Sequence, residues 1–456
     1  MNKNDIININ IESISSDGNG VGHYDGLAVF VPYSAVGDSL TVRIEKVMPR
    51  YCFGRILSII TPSENRVENT CPLFQKCGGC DFRHISYSEE LRIKQDIVEN
   101  ALRRLGNISC EIRHIIGSPV EEEYRNKVQF PITETTEGLV PGFFSPRSHR
   151  IIPSAECCSL QPKVLNEIAQ ESCRLLTEQG VRAYNETSRK GDLRHILLRF
   201  NAAKNEILLC LVMAKGKIDK KKFTAEIVKN YPAITTIIIN HNKAEGNVII
   251  DGDNETIFGK GFIKDMLCGV PVNVTPNSFL QINNKSATVL YEKIKELADS
   301  ISYDSLLDLY CGAGTIGLYC MKEGSTLYGI DVIEDSIKSA EKNAKLLGKT
   351  NTYFHTGDAS YIKNLLDEGK KIDLIITDPP RKGCSPAVLD PIINSGVLSV
   401  IMVSCNPATL ARDLGYLENN GFVTQYVQPV DLFPRTKHVE NVVFLSRVES
   451  RQDNLQ

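Results

Sequence analysis

Apolar and polar residues alternate along the first sixty positions in short blocks. Ser39-Leu40-Thr41-Val42-Arg43-Ile44-Glu45 is the clearest of them. Alternation of this kind predicts half-buried strands, here over residues 5–14, 27–31, 39–47 and 53–60. Asp17-Gly18-Asn19-Gly20, Asp25-Gly26 and Gly37-Asp38 break the blocks as turns. Short strands with glycine turns predict a small β-barrel over residues 1–62. Thr61-Pro62-Ser63-Glu64-Asn65 reads as a linker. A helical period follows over residues 88–105 and stops at Gly106-Asn107. Residues 110–270 are mostly strand-patterned, with a hairpin expected from 193–200 and 206–213. Beyond about 276 the pattern changes. Short apolar runs at 305–310, 326–330, 372–377 and 397–404 alternate with helical stretches, which predicts βαβ units and a parallel sheet. Residues 422–430 and 440–448 are expected as an antiparallel terminal pair.

The expected fold class is therefore α/β, in three domains. Residues 1–62 form the barrel, 63–275 a β-rich central domain with a cysteine cluster, and 276–456 a Rossmann-like domain. The 456 residues are 42% hydrophobic and 23% charged, which excludes disordered and fibrous chains. No apolar run approaches the ~20 residues of a membrane span, and the polar start Met1-Asn2-Lys3-Asn4-Asp5 lacks the apolar core of a secretory leader. A cytoplasmic protein with no membrane partner is expected, with a monomer as the default state. A net charge of -3 excludes nucleic-acid binding through bulk charge alone. Local patches remain open to it. Residues 181–222 hold eleven Lys/Arg against four Asp/Glu, and Arg147, His149 and Arg150 add to them. This excess is either a solvated rim or an RNA-contact surface.

Three groups of residues carry chemistry. After the strand ending at Tyr310, Cys311-Gly312-Ala313-Gly314-Thr315-Ile316-Gly317 has the G-x-G-x-x-G form of a nucleotide-binding loop. Asp331 ends the next strand, where a carboxylate holds ribose hydroxyls. Asp358 and Asp378 stand at the ends of two further strands, with helix capping as the structural alternative for Asp358. Cys405, in Ser404-Cys405-Asn406-Pro407, stands at a fifth strand end, a place for a nucleophile rather than a packing residue. Its base is Glu440, with His438 as rival and a salt bridge as the structural alternative. Finally, Cys71-x5-Cys77-x2-Cys80 holds three thiols within ten residues. Cys157 or Cys158 would complete a four-thiolate site for zinc or an iron–sulfur cluster.

Taken together, these elements resemble the RNA uracil-5-methyltransferase family, in its iron–sulfur branch acting on 23S ribosomal RNA. The resemblance is carried by Cys71-x5-Cys77-x2-Cys80, Gly191-Asp192-Leu193-Arg194-His195, Phe279-Leu280-Gln281-Ile282-Asn283, Asp308-Leu309-Tyr310-Cys311-Gly312-Ala313-Gly314, Asp378-Pro379-Pro380-Arg381, Ser404-Cys405-Asn406-Pro407-Ala408-Thr409 and His438-Val439-Glu440. It implies that the barrel is an RNA-binding TRAM domain. It implies a [4Fe-4S] cluster on Cys71, Cys77, Cys80 and Cys157, with Cys158 the alternative fourth ligand. The implied cofactor is S-adenosylmethionine, contacted by Gln281, Tyr310, Asp331 and Asp378, with Asp358 and Thr315 beside them. Asp331 is often Glu and Thr315 often Asn in the family. The nucleophile falls on Cys405 and the proton-abstracting base on Glu440. The partner is RNA, a loop uridine of 23S ribosomal RNA. Transfer RNA is the alternative substrate. An amino-group methyltransferase using Asp378-Pro379-Pro380-Arg381 is the alternative reaction. A non-catalytic RNA-binding factor and an NAD-dependent oxidoreductase are the more distant readings.

Overall fold

The computed structural model describes residues 1–153, 158–246 and 248–448. The chain divides into two compact units. The first comprises residues 1–97, 121–261 and 433–437; the second comprises 98–120, 262–432 and the chain from 438 onward.

The first unit begins with six strands in the order Ile6–Asn10, Ser39–Val47, Tyr51–Thr61, Leu27–Pro32, Asn19–Tyr24 and Ser13–Ile14. The two outermost strands are consecutive in the chain. The backbone bond from Glu12 N to Val21 O extends the pairing of Ser13–Ile14 with Asn19–Tyr24. Ile7, Ile9, Val29, Val31, Leu40, Val42 and Ile44 fill the interior. A seven-stranded sheet follows, in the order Ile151–Pro153, Gly138–Phe144, Lys127–Thr135, Leu193–Asn201, Glu206–Met213, Ile234–His241 and Asp253–Phe258. The expected hairpin is present as Leu193–Asn201 paired with Glu206–Met213.

Two helices in this region depart from the strand-patterned reading. Lys163–Glu178 places Leu165, Ile168, Ala169, Leu175 and Leu176 on one buried stripe against the sheet. Lys220–Asn230 buries Phe223 and Ile227 and is capped by Asp219, whose carboxylate accepts from Lys222 N at 3.0 Å. This second helix makes the crossover that lets Glu206–Met213 and Ile234–His241 run parallel.

The stretch read as a linker is also pinned. Asp38 is fully buried and accepts hydrogen bonds from Ala35 N at 2.6 Å, Ser63 N at 3.0 Å, and Arg66 Nε and Nη2 at 2.8 and 2.7 Å. The chain leaving the barrel is thereby fastened to one of the barrel's own turns.

The second unit is an eight-stranded sheet, in the order Thr352–Thr356, Thr326–Asp331, Ser305–Leu309, Leu374–Thr377, Ser399–Ser404, Glu440–Arg447, Phe422–Val430 and Glu111–Ile112. The first five strands are parallel, and Glu440–Arg447 is antiparallel to both its neighbours, as expected of the terminal pair. The order reverses at Ser305–Leu309, between Thr326–Asp331 and Leu374–Thr377. Ligands of open α/β sheets sit at such a switch point, outside the strands' carboxyl ends. No helix among the described residues is long and apolar enough to cross a membrane.

The Asp38 anchor is expected to dominate barrel stability. Its ion pair with Arg66 holds its carboxyl below the usual carboxylate range, against the opposing effect of burial. A depressed carboxyl stabilises the fold above its unfolded value of ~3.9 and loses that effect as pH falls through the folded value. Asp38→Ala should destabilise the barrel by about 3 kcal/mol, since one partner of a buried pair is removed. Asp38→Asn, which keeps an acceptor, should lose less. Amide exchange at Val29 and Val42 measures both; equal protection in wild type and Asp38→Ala would refute the anchor.

Candidate active site

The glycine loop grows directly out of the central parallel strand. Tyr310, just beyond Ser305–Leu309, adopts a left-handed backbone with φ of 65°, an uncommon conformation for a non-glycine residue. Its N–H and that of Cys311 both donate to Ile330 O on the neighbouring strand. Gly314, at φ 75°, then enters the helix Thr315–Cys320. Gly317 is needed for another reason: a Cβ there would meet Asp308 Oδ2 and Leu327 Cδ1 at 2.8 Å. Gly317 N donates to that same Asp308 oxygen at 2.8 Å. Asp308 is almost wholly buried, and burial pushes its carboxyl up to about 7.

Asp331 uses both oxygens on backbone. Oδ2 accepts from Gly312 N at 2.9 Å and Oδ1 from Ile333 N at 2.8 Å, fixing the loop to the strand end beside it. Thr315 Oγ1 lies 3.0 Å from Tyr291 Oη. Gln281 is buried two residues before Asn283, which caps the helix Asn284–Ser300 through Ser286 N at 3.2 Å. Asp358 is exposed and accepts from Ser360 N at 2.9 Å, a turn-capping contact that holds its carboxyl below the usual range. Asn343, which the sequence reading passes over, donates to Ala313 O at 2.9 Å from the helix Glu334–Leu346. Nothing in its local pattern distinguishes it from other helix asparagines.

The reactive half stands on three adjacent strands. Antiparallel register pairs Ser404 with Asn441. Cys405 therefore follows one end of that rung and Glu440 precedes the other, on the same sheet edge. Asn441 Nδ2 ties the rung by donating to Ser404 O at 3.2 Å. Cys405 is half-buried, and its thiol is pushed up to about 11 by burial and by the carboxylates of Glu440 and Asp378. Glu440 is 5% exposed and is pushed up to about 8 by burial and Asp378. Asp378, just past Leu374–Thr377, is raised by burial to about 6. Arg381 opposes both shifts, drawing the Cys405 thiol and the Glu440 carboxyl down. Its Nη2 lies 3.0 Å from His438 Nδ1, and its carbonyl accepts from Asn406 Nδ2 at 3.2 Å. Cys405, Glu440, Asp378 and Arg381 thus act on one another electrostatically. That Arg381 acts on both Cys405 and Glu440 is not evident from spacing, because Arg381 and Glu440 lie far apart in the chain.

The cysteine cluster lies in the first unit. Cys71, Cys77 and Cys80 fall on one loop, and Cys158 joins them: Cys77 is raised by burial and by the neighbouring Cys158 and Cys71. Cys80 is pushed up to about 12 by burial and by Cys158, against the pull of Arg83 and Arg125. Gly79 N donates to Cys77 Sγ at 3.3 Å, and Cys158 Sγ lies 3.3 Å from Gln161 Oε1. Cys157 lies outside the described residues. Among the described residues no three His, Cys, Asp or Glu side chains close on one metal centre.

A doubly wound sheet with its glycine loop at the switch point, and with the strand ends of Cys405 and Glu440 side by side, defines a Rossmann-like methyltransferase class of enzyme. Comparison with known proteins agrees. The family model described as tRNA (Uracil-5-)-methyltransferase matches residues 86–448, and the TRAM domain model matches residues 2–57. The chain belongs to the tRNA (uracil-5-)-methyltransferase family and carries an N-terminal TRAM domain. An uncharacterized RNA methyltransferase of Halalkalibacterium halodurans is 39% identical over 448 residues, covering 98% of each chain. One from Clostridium tetani is 36% identical over 446 residues, 97% of each. The Pyrococcus abyssi tRNA (uracil-54, C5)-methyltransferase, solved in complex with S-adenosyl-L-homocysteine, superposes with a TM-score of 0.75 at 26% identity. That match covers 96% of this chain and 100% of the other.

The charge arrangement around Cys405 gives a direct test. Above pH 8 Glu440 is ionised and suppresses the thiolate; below it the carboxyl is protonated and the suppression lapses. Glu440→Gln should therefore speed iodoacetamide alkylation of Cys405 by about tenfold at pH 9, a like charge being removed nearby. At pH 6.5 the two proteins should react alike. Peptide mapping reads the site, and an equal rate at pH 9 would show that Glu440 does not govern the thiol.

Proposed function

We propose that the protein transfers a methyl group from S-adenosylmethionine to C5 of a uridine in 23S ribosomal RNA, through a covalent adduct between Cys405 and uracil C6. One observation carries this reading: Cys405 and the buried Glu440 flank a single rung at the sheet edge, with Arg381 drawing down both. Uracil C5 is too weak a nucleophile to take a methyl group unaided. The Cys405 thiolate adds to C6, and the displaced π electrons form an enolate. C5 then attacks the sulfonium methyl group, and S-adenosylhomocysteine leaves. Glu440 takes the C5 proton, and elimination breaks the C6–S bond to free the thiolate. A carboxyl raised to about 8 is matched to this task, because a base works best with a pKa near the working pH. Arg381 favours the thiolate. Asp331 fixes the glycine loop that would receive the cofactor, and Gln281, Tyr310, Thr315 and Asp378, with Asp358, would contact it. The target base must leave its stack to reach the thiol.

Cys71, Cys77, Cys80 and a fourth thiol, Cys157 or Cys158, would hold a [4Fe-4S] cluster. Arg83 and Arg125 act on Cys80 and Cys158 and would offset thiolate charge there. Methyl transfer needs no electron from such a cluster; its contribution would be to fix the loop. The ribosomal assignment rests on the cysteine cluster beside a TRAM barrel. Transfer RNA is the second reading, favoured by the full-length likeness to the Pyrococcus abyssi enzyme.

The decisive experiment is a trap. Protein and S-adenosylmethionine are incubated with 23S ribosomal RNA fragments, and in parallel with transfer RNA, each carrying 5-fluorouridine. Fluorine at C5 cannot leave as a proton, so a methylated adduct on Cys405 should accumulate with ribosomal RNA. An adduct with transfer RNA alone would move the substrate and keep the mechanism. Cys405→Ala should lower turnover by at least about a thousandfold. Glu440→Gln should accumulate the adduct even on ordinary uridine. Full activity of Cys405→Ala would instead assign amino-group methylation at Asp378-Pro379-Pro380-Arg381. For the cluster, anaerobically purified protein is expected to contain iron and inorganic sulfide in equal amounts; zinc alone would overturn that assignment.

A further inference from the structure

The first unit encloses a cavity of 1390 Å³ that methyl transfer does not use. It is lined by residues 77–79 of the cysteine loop, 131–134, the turn 143–151, residues 183–187, 189 and 194–195, and residues 245, 246, 248 and 249. His195 lies in this wall, 8% exposed, and neither ring nitrogen has a hydrogen-bond partner among the described residues. Burial and the neighbouring Arg194 push its imidazole down to about 4, so the ring is neutral, with one donor and one acceptor idle. Buried polar atoms are usually paired, with protein, water or a bound group.

Beside His195 stands Phe144, 38% exposed, set edge-on to it at 6.4 Å and to His149 at 6.1 Å. Arg147 and Arg150, from the same turn, are exposed and enter no ion pair among the described residues. The other two arginines of the cavity are committed. Arg194 pairs with Glu186 and donates to the carbonyls of Ala244 and Gly246; Arg189 pairs with Glu245. Exposed cations beside an exposed aromatic pair, with a neutral imidazole in the same cavity, match the parts of one unstacked nucleotide: phosphate, base face and polar edge.

We infer that this cavity binds a second nucleotide of the substrate RNA, distinct from the methylated uridine. Its base stacks on Phe144 and His149, its polar edge meets His195, and its phosphates lie against Arg147 and Arg150. The site belongs to the first unit, whereas Cys405, Asp378 and Glu440 belong to the second. The inference rests on the RNA methyltransferase reading and adds a place where sequence or loop shape is read.

Unmodified transcripts of 23S ribosomal RNA and transfer RNA are the probes. Ultraviolet cross-linking followed by peptide mapping should place a nucleotide on the peptide containing Phe144 or His149. The double variant Phe144→Ala, His149→Ala changes two rim residues and leaves the sheet interior alone. It should raise the KM for RNA about tenfold, the loss of one base–aromatic stack, while the 5-fluorouridine adduct still forms at saturating RNA. His195→Phe should raise KM similarly, and His195→Gln, which restores a donor and an acceptor, should recover part of it. A KM within twofold of wild type in the double variant, with no cross-link in this region, would overturn the inference. Failure of wild type to form any adduct would sink the methyltransferase reading instead, and a cross-link at Phe144 would then still support the cavity as an RNA site.

Discussion

The second unit is organised around a repulsion. Asp378, Cys405 and Glu440 are all acidic and all withdrawn from water, and the two carboxyls each disfavour the thiolate. Left free, such groups would move apart or take up protons. They are instead held by the backbone ladder, since Leu374–Thr377, Ser399–Ser404 and Glu440–Arg447 are successive strands of one sheet. The pairing of Ser404 with Asn441 sets Cys405 opposite Glu440. A slip of one residue would turn Glu440 to the other face. The register of the antiparallel terminal strand is thus a chemical requirement as well as a folding one. The cost of the repulsion is also what makes the groups useful, because a carboxyl raised to about 8 and a thiol raised to about 11 are both strong bases when ionised.

The cofactor side follows the same logic with backbone in place of a partner cation. Asp308 is buried beneath the glycine loop and answered by Gly317 N; Asp331 is answered by Gly312 N and Ile333 N. Each carboxylate accepts from the loop it shapes. The left-handed Tyr310 is sustained because its N–H and the next are both bonded to Ile330 O. Asp378 joins the two halves: its N–H donates to Leu309 O at 3.4 Å, while its carboxyl acts on Glu440 and Cys405. The glycine loop and the strand ends that carry Cys405 and Glu440 are consequently parts of one sheet edge.

Elements that announce themselves by local pattern were legible in the sequence. Alternation from Ser39 to Glu45 gave a barrel strand, and apolar runs bounded by turns gave the parallel sheet with its terminal pair. What stayed hidden depends on pairing across distance. Gly37-Asp38 reads as a turn, and only folding brings Ser63 and Arg66 onto the Asp38 carboxylate. The helix Lys163–Glu178 sits among strand-forming stretches and was absorbed into them, although its buried stripe has the helical period. The basic run at Lys220-Lys221-Lys222 reads as part of an RNA-contact excess, yet it opens a capped helix whose Phe223 and Ile227 face the core. Arg381 was visible as part of a motif, but its action on Glu440 was not, since fifty-nine positions separate them.

Chain connectivity gives the cysteine loop a mechanical consequence. Residues 433–437 belong to the first unit, while Leu432 before them and His438 after them belong to the second. Within the first unit this segment is gripped on both sides. Asp81 N and Phe82 N donate to Arg435 O at 2.9 and 3.1 Å, and Lys437 N donates to Asp81 Oδ2 at 3.1 Å. Arg435 also pairs with Glu121, Lys94 Nζ donates to Phe433 O, and Tyr124 Oη donates to Pro434 O. Asp81 follows Cys80 directly, and Glu440 follows Lys437 by three residues. The residue directly after Cys80 is thereby one of the anchors that hold residues 433–437 in the first unit, although the chain on either side of that segment belongs to the second.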